Sequence, residues 1–160
     1  MDFRIGQGVD FHKLDKGLEL WLGGIPIPSD RGAIAHSDGD VLIHSICDAI
    51  LGAAGLRDIG FHFPDTDEKY KDIDSKILLK KVIELARLHG YTISNIDSTI
   101  CLENPKLSPH IESIRNSLSE VTGLEATRIS VKATTTEKMG FTGREEGIAA
   151  IASVLLYASK

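Results

Sequence analysis

The chain has 160 residues, 42% of them hydrophobic, and its 18 Lys and Arg against 23 Asp and Glu give a formal charge of −5. This suits one globular domain, residues 1–160, able to bury roughly 70% of its unfolded-chain surface without staples. No basic stripe interrupts the mixed charges, the start Met-Asp-Phe-Arg has no apolar stretch of signal-peptide type and no segment approaches the ~18 apolar residues of a membrane span, so the expectation is a soluble cytoplasmic protein without nucleic-acid or membrane partners.

Residues 3–12 read as a strand. Asp10 and His12 lie two apart in it, so the carboxylate and the imidazole share a face. Leu18–Pro28 reads as a short hairpin bent at Gly23-Gly24, and residues 29–37 as a loop feeding a helix over about 39–55. That helix has an apolar arc of Leu42, Ile43, Ile46, Cys47, Ile50 and Ala54, with Asp40, His44 and Asp48 repeating every four residues beside it. His44 can supply a third ligand to Asp10 and His12, with Asp48 near enough to orient its ring. Asp40 alone reads as part of a solvated polar stripe. Two nitrogens and one oxygen leave a fourth tetrahedral position open, the pattern of a catalytic zinc.

Residues 56–73 are polar and turn-rich, with a length that points to a functional or mobile loop. A second helix is expected from Ser75 to His89, stopped by Gly90. Residues 91–102 alternate as a strand with Ile96, Ile100 and Leu102 on one face, and Ser108-Pro109 reads as the capped start of a third helix. Ile111, Ile114, Leu118 and Val121 form the apolar face of that helix. Residues 128–136 form another strand, with Ile129, Val131 and Ala133 pointing inward. The alanines of residues 147–157 favour helix, yet Ile148, Ala150, Ala152, Val154 and Leu156 also alternate, and period does not decide between them. Cys47 and Cys101 sit in apolar runs and read as small buried hydrophobes rather than as a disulfide or metal pair.

A second group of residues has the chemistry of a phosphate site. The three hydroxyls of Thr134-Thr135-Thr136, followed by Glu137, can serve phosphate and a hard cation, or they can belong to an ordinary strand. Arg144 suits a phosphate or a solvated surface. Asn104-Pro105-Lys106-Leu107 leads toward a helix N-terminus, which favours anions, and is equally an ordinary strand-to-helix loop.

Taken in order, His36-Ser37-Asp38-Gly39-Asp40-Val41, Gly52-Ala53-Ala54-Gly55-Leu56 with Asp58-Ile59-Gly60, Phe63-Pro64-Asp65-Thr66-Asp67, and Lys132-Ala133-Thr134-Thr135-Thr136-Glu137-Lys138 with Gly140-Phe141-Thr142-Gly143-Arg144 resemble the 2-C-methyl-D-erythritol 2,4-cyclodiphosphate synthase family over nearly the whole chain. The resemblance implies an α/β fold, a mixed sheet covered on one side by helices, with strand at residues 147–157. It implies a homotrimer with active sites between subunits, and other enzymes of the non-mevalonate pathway as further partners. The implied reaction converts 4-diphosphocytidyl-2-C-methyl-D-erythritol 2-phosphate into a cyclic diphosphate and releases CMP.

Matched by motif, Asp10, His12 and His44 are implied zinc ligands, and Glu137 is the carboxylate beside a second divalent ion, magnesium or manganese. His36 and Thr135 correspond to residues that stabilise the transition state. Ser37, Asp58, Ile59, Gly60, Phe63 and Asp65 correspond to the methylerythritol pocket. Leu102, Pro105, Lys106, Leu107 and Thr134 correspond to the cytidine side. Phe141 and Arg144 correspond to positions near the trimer axis or the substrate. Phe61 departs from the pattern, standing where the family is expected to carry lysine. Two other readings of the residues are a zinc-dependent phosphohydrolase and a non-catalytic module that binds isoprenoid diphosphates or partner enzymes.

Overall fold

The computed structural model describes residues 2–64, 66, 68–70 and 72–159. Strand β1, Phe3–Lys16, runs past the expected end at residue 12 because its last four residues pair with a strand that the sequence did not suggest. After the hairpin of β2 (Leu20–Leu22) and β3 (Ile25–Ile27) comes β4, Arg31–Ile34, inside the stretch expected to be loop. Four residues without alternation give no strand signal of their own, and β4 exists through its register with Lys13–Lys16 of β1.

Helix α1, Val41–Ala54, starts at Asp40, whose carboxylate accepts from Ile43 N, and ends at Gly55 in the left-handed region. Then come the short α2, Ile59–His62, and α3, Ser75–Leu88, with Gly90 just beyond it at φ 82° as expected. β5, Tyr91–Cys101, leads to α4, Ile111–Thr122. Ser108 does not cap α4; it opens a short 3-10 turn, and neither that turn nor α4 has a side-chain cap. β6 (Ile129–Thr134), α5 (Gly140–Gly143) and β7 (Gly147–Ala158) complete the chain.

The main sheet has the order β4-β1-β7-β5-β6. It is mixed, since β5 and β6 run parallel and the other neighbours antiparallel. The three long helices α1, α3 and α4 lie on one side. β7 is therefore the central strand, and Ile148, Ala150, Ala152, Val154 and Leu156 point into the core as the alternation suggested. Ala133, expected inward, is exposed.

α1 lies across β1 and β7 and is buried on nearly every side, so it is no half-solvated amphipathic helix. Asp40 is fully buried, where a solvated stripe was expected, and accepts from Gly24 N at 2.6 Å as well as from Ile43 N at 3.0 Å. It pins the β2–β3 turn to the helix start. Two glycines of β1 let α1 come this close. A Cβ on Gly6 would lie 1.9 Å from Ala49 O, and one on Gly8 2.0 Å from Ser45 O.

Among the described residues the opposite sheet face meets only the four-residue α5, whose Phe141 packs beside Phe11. Phe3, Ile5, Val9, Phe11 and Ile151 are exposed there, Ile5 to 80%.

Candidate metal centre and flanking hollows

Asp10 and His12 follow Gly6 and Gly8 on the helix-facing side of β1, as period-two alternation requires. α1 is drawn against that side and brings His44 to both of them. His12 Nε2 lies 3.1 Å from Asp10 Oδ2, His44 Nδ1 lies 3.1 Å from the same oxygen, and the two ring nitrogens are 3.2 Å apart. An ion bound at about 2.0–2.1 Å spaces neighbouring tetrahedral ligands about 3.3 Å apart, so this near-equilateral triangle fits one small divalent cation. It is the one group of three metal-binding side chains that comes together among the described residues.

Burial opposes the charge on Asp10, but hydrogen bonds from His12 and His44 outweigh it and hold the carboxyl well below its ordinary value. Burial likewise disfavours a charged His44, yet the hydrogen bond and charge of Asp10 raise that imidazole's pKa. Asp48 does not orient His44. Its Oδ1 accepts from Ile59 N at 2.7 Å and ties the start of α2 to α1, and burial raises its pKa. The far nitrogen of His44, Nε2, instead meets Ser75 Oγ at 3.0 Å and Ser37 Oγ at 3.3 Å.

The triangle opens on a hollow of about 320 Å³ lined by His36, Ser37, Ile59, Gly60, Phe63 and Tyr70, among others. Five of the residues that the resemblance matches to the methylerythritol pocket and to transition-state stabilisation are thus gathered beside the triangle. His36 Nε2 is buried and has no hydrogen-bond partner among the described residues. Asp58 caps α2 through Phe61 N and its side chain is exposed; Asp65 lies outside the described residues. Phe61 lies under the Arg57 guanidinium, 4.1 Å from the ring centroid, so a cation remains at this corner despite the missing lysine.

A second hollow, about 340 Å³, is lined by Leu102, Pro105, Lys106, Leu107, Thr134 and Thr135 with their neighbours, and it shares no residue with the first. Glu137 is exposed on the turn after β6, where its Oε1 accepts from Thr135 Oγ1. It belongs with this second group and is absent from the metal triangle. Phe141 and Arg144 line neither hollow. Phe141 stands edge-on to Phe11 with centroids 6.0 Å apart, and Arg144 makes a two-point bond to Glu146 at 2.9 and 3.0 Å.

Sequence reasoning missed Tyr70, Ser75 and the part played by Gly6 and Gly8. The glycines had a signal, since they alternate in phase with Asp10 and His12. Tyr70 and Ser75 had none, because only the folded loop carries them to α1.

The sequence profile of the YgbB family matches residues 3–157. The chain is 60% identical over 156 residues to a 2-C-methyl-D-erythritol 2,4-cyclodiphosphate synthase of Bacteroides fragilis, covering 98% of each chain. It is 59% identical over 157 residues to the same-named protein of Porphyromonas gingivalis, covering 98% of this chain and 97% of the other. Among solved structures, a CDP-bound form of 2C-methyl-D-erythritol-2,4-cyclodiphosphate synthase matches 96% of this chain and 100% of its own, at TM-score 0.90 and 39% identity. The bifunctional IspDF of Campylobacter jejuni matches at TM-score 0.95 and 44% identity, over 98% of this chain and 42% of that longer one.

Proposed function

This chain belongs to the YgbB family, the 2-C-methyl-D-erythritol 2,4-cyclodiphosphate synthases, and from that membership we propose how its two groups of residues carry out the reaction. The enzyme converts 4-diphosphocytidyl-2-C-methyl-D-erythritol 2-phosphate to the cyclic diphosphate. An oxygen of the 2-phosphate attacks the β-phosphorus, a new phosphoanhydride bond forms, and the bond to CMP breaks. The nucleophile is already anionic near neutral pH, so the protein needs no nucleophilic side chain and no strong base. The task is to align two mutually repelling phosphates.

The observation that carries this reading is the Asp10–His12–His44 triangle opening on the hollow beside it. When bound, zinc there and magnesium or manganese near Glu137 supply Lewis-acid polarisation and charge neutralisation for the phosphates. Asp10, His12 and His44 hold the first ion and Glu137 meets the second. His36, with a buried nitrogen that has no partner among the described residues, and Thr135 donate to phosphate oxygens as charge builds. Ser37, Asp58, Ile59, Gly60, Phe63 and Asp65 hold the methylerythritol. Leu102, Pro105, Lys106, Leu107 and Thr134 take the cytidine, and Phe141 and Arg144 stand toward the axis of assembly.

The active form is a cytoplasmic homotrimer. Two features support the assembly: an exposed apolar sheet face on the side away from α1, α3 and α4, and two hollows that share no residue within one chain. A neighbour's second hollow facing the first would complete one site per interface.

Purified protein incubated with substrate and divalent ion tests the reading. Phosphorus NMR should show the cyclic diphosphate, with CMP released in equal amount. Release of inorganic phosphate or a phosphomonoester would instead identify a hydrolase, and zinc uptake without CMP release a binding module.

A further inference from the structure

The Asp38 carboxylate reaches the metal centre without touching any of its three ligands. It grips Ser75 at two points, with Oδ2 accepting from Ser75 N at 2.8 Å and Oδ1 accepting from the Ser75 hydroxyl. Oδ1 also accepts from Asp40 N at 3.1 Å, at the start of α1. Ser75 is fully buried, and its Oγ lies 3.0 Å from His44 Nε2.

Counting protons fixes the direction of this chain. A carboxylate only accepts, so the single hydroxyl proton of Ser75 is committed to Asp38. Ser75 Oγ can then offer His44 Nε2 only a lone pair, which places the N–H on Nε2. Nδ1 donates to the Asp10 carboxylate while no ion is bound; an ion at the triangle takes the Nδ1 lone pair in place of that proton, and Nε2 keeps its own. Ser37 does not fix this by itself. Its Oγ accepts from Gly39 N and keeps a proton that could go either way toward His44.

We propose that Asp38 and Ser75 are positioning residues that hold His44 in its Nε2–H tautomer and so present Nδ1 to the metal. The proposal rests on the metal site described above. It adds a structural link, because Ser75 is the first residue of α3 and follows the loop that supplies Tyr70 and Ile73 to the substrate hollow. Asp72 N donates to His36 O at 2.8 Å and Asp38 N to Ile73 O at 3.3 Å, joining residues 36–38 to that loop. The same anchor therefore serves the metal ligand and the hollow wall.

The test uses the full-length chain and Zn²⁺ itself. Chelator competition gives zinc affinity, and long-range nitrogen–proton NMR reads which nitrogen of His44 bears the proton. In wild type the zinc-loaded protein should show a protonated Nε2 and a coordinated Nδ1. Ser75→Ala should lose about 10- to 100-fold in zinc affinity, the range for supporting groups behind a ligand, and shift the His44 nitrogens. Ser75→Thr, which keeps the hydroxyl, should recover most of that loss. Equal zinc affinity in wild type and Ser75→Ala overturns the proposal, as does a zinc-loaded wild-type spectrum with the proton on Nδ1 and none on Nε2; the spectrum decides alone if the variant fails to fold. A wild-type chain that takes up no zinc would overturn the metal site itself, a result distinguishable from failure of the relay.

Discussion

Gly8→Ala is a sharp probe of how the fold builds the metal centre. The added Cβ would lie 2.0 Å from Ser45 O, 2.7 Å from Ala49 N and 2.9 Å from Asp48 Cβ. The first two are backbone atoms of α1, so no side-chain rotation relieves them. Cβ contacts under 3.0 Å are essentially never seen, so strand and helix must separate locally by at least the difference, 3.0 − 2.0 Å, or 1.0 Å. Ser45 follows His44, and Gly8 precedes Asp10 by two residues on the same strand face. The separation therefore falls on the triangle, whose edges are 3.1–3.2 Å. Metal–ligand distances tolerate only about 0.2 Å.

Zinc affinity in Gly8→Ala should fall by about 100-fold or more, at or beyond the loss of a supporting group. Stability should drop by about 1–3 kcal/mol through overpacking, toward the upper end because backbone blocks backbone. Gly52→Ala is the control on the same helix. Its Cβ meets nothing nearer than Gln7 O at 4.0 Å, so the helical preference for alanine should leave stability unchanged or raise it by up to about 1 kcal/mol. Urea unfolding and chelator competition on both variants supply the comparison. A Gly8→Ala protein with wild-type zinc affinity and wild-type urea midpoint would refute the close-approach argument.

Ile5→Glu places a charge on the uncovered sheet face at a residue 80% exposed in the single chain, so the fold itself loses little. If the proposed trimer forms through this face, sedimentation should show it dissociated, with CMP release lost and zinc retained; a variant that sediments as wild type does would count against that face as the interface. Glu137→Gln should leave zinc content unchanged and raise the magnesium or manganese concentration needed for half-maximal rate, and an unchanged metal titration would remove Glu137 from its assigned role. The pH dependence follows from His44, whose pKa Asp10 raises against the opposing effect of burial. Zinc must displace that proton, so affinity should rise with pH by about tenfold per unit until the raised pKa is passed. In the zinc-free chain the same pair stabilises fully below the unfolded-state value of about 6.5, and that contribution is lost as pH rises through the folded value. Melting curves of zinc-free wild type and His44→Gln across this range should converge toward alkaline pH. Curves that diverge there would contradict the sign.

The elements that sequence made legible are those with a strong internal period. α3, α4 and the alternation of β7 are plain, and so is the shared face of Asp10 and His12. The ambiguity of residues 147–157 has a physical source. Ala150 and Ala152 pair with Asp10 and Gly8 of β1, beneath α1, where a larger side chain would hold the helix away. The alanines that argued for helix are small because a helix lies on them. β4 was hidden because it is short and defined by its partner. Asp40 and Asp48 were misplaced for a different reason. A period of four says that two side chains share a face, but not which backbone N–H waits there, and each carboxylate had one from outside the helix, Gly24 N and Ile59 N respectively.

This division between what is local and what is tertiary also runs through the active centre. Two members of the candidate metal triangle come from one strand face and the third from a helix held in contact with it, so their spacing follows from the rigid backbone of β1 and α1. The walls of the hollow beside the triangle come from chain segments that must be tied down. Those ties, Asp72 N to His36 O and Asp38 N to Ile73 O, lead to the Asp38–Ser75 pair behind His44. A shift of the loop that carries Tyr70 and Ile73 would therefore reach Ser75 before it reached the metal donors, and would alter the hydrogen bond to Nε2 while β1 and α1 stayed in place. The triangle and the shape of the hollow thus meet at the Ser75 and Ser37 hydroxyls beside His44 Nε2, although they are built on different parts of the fold.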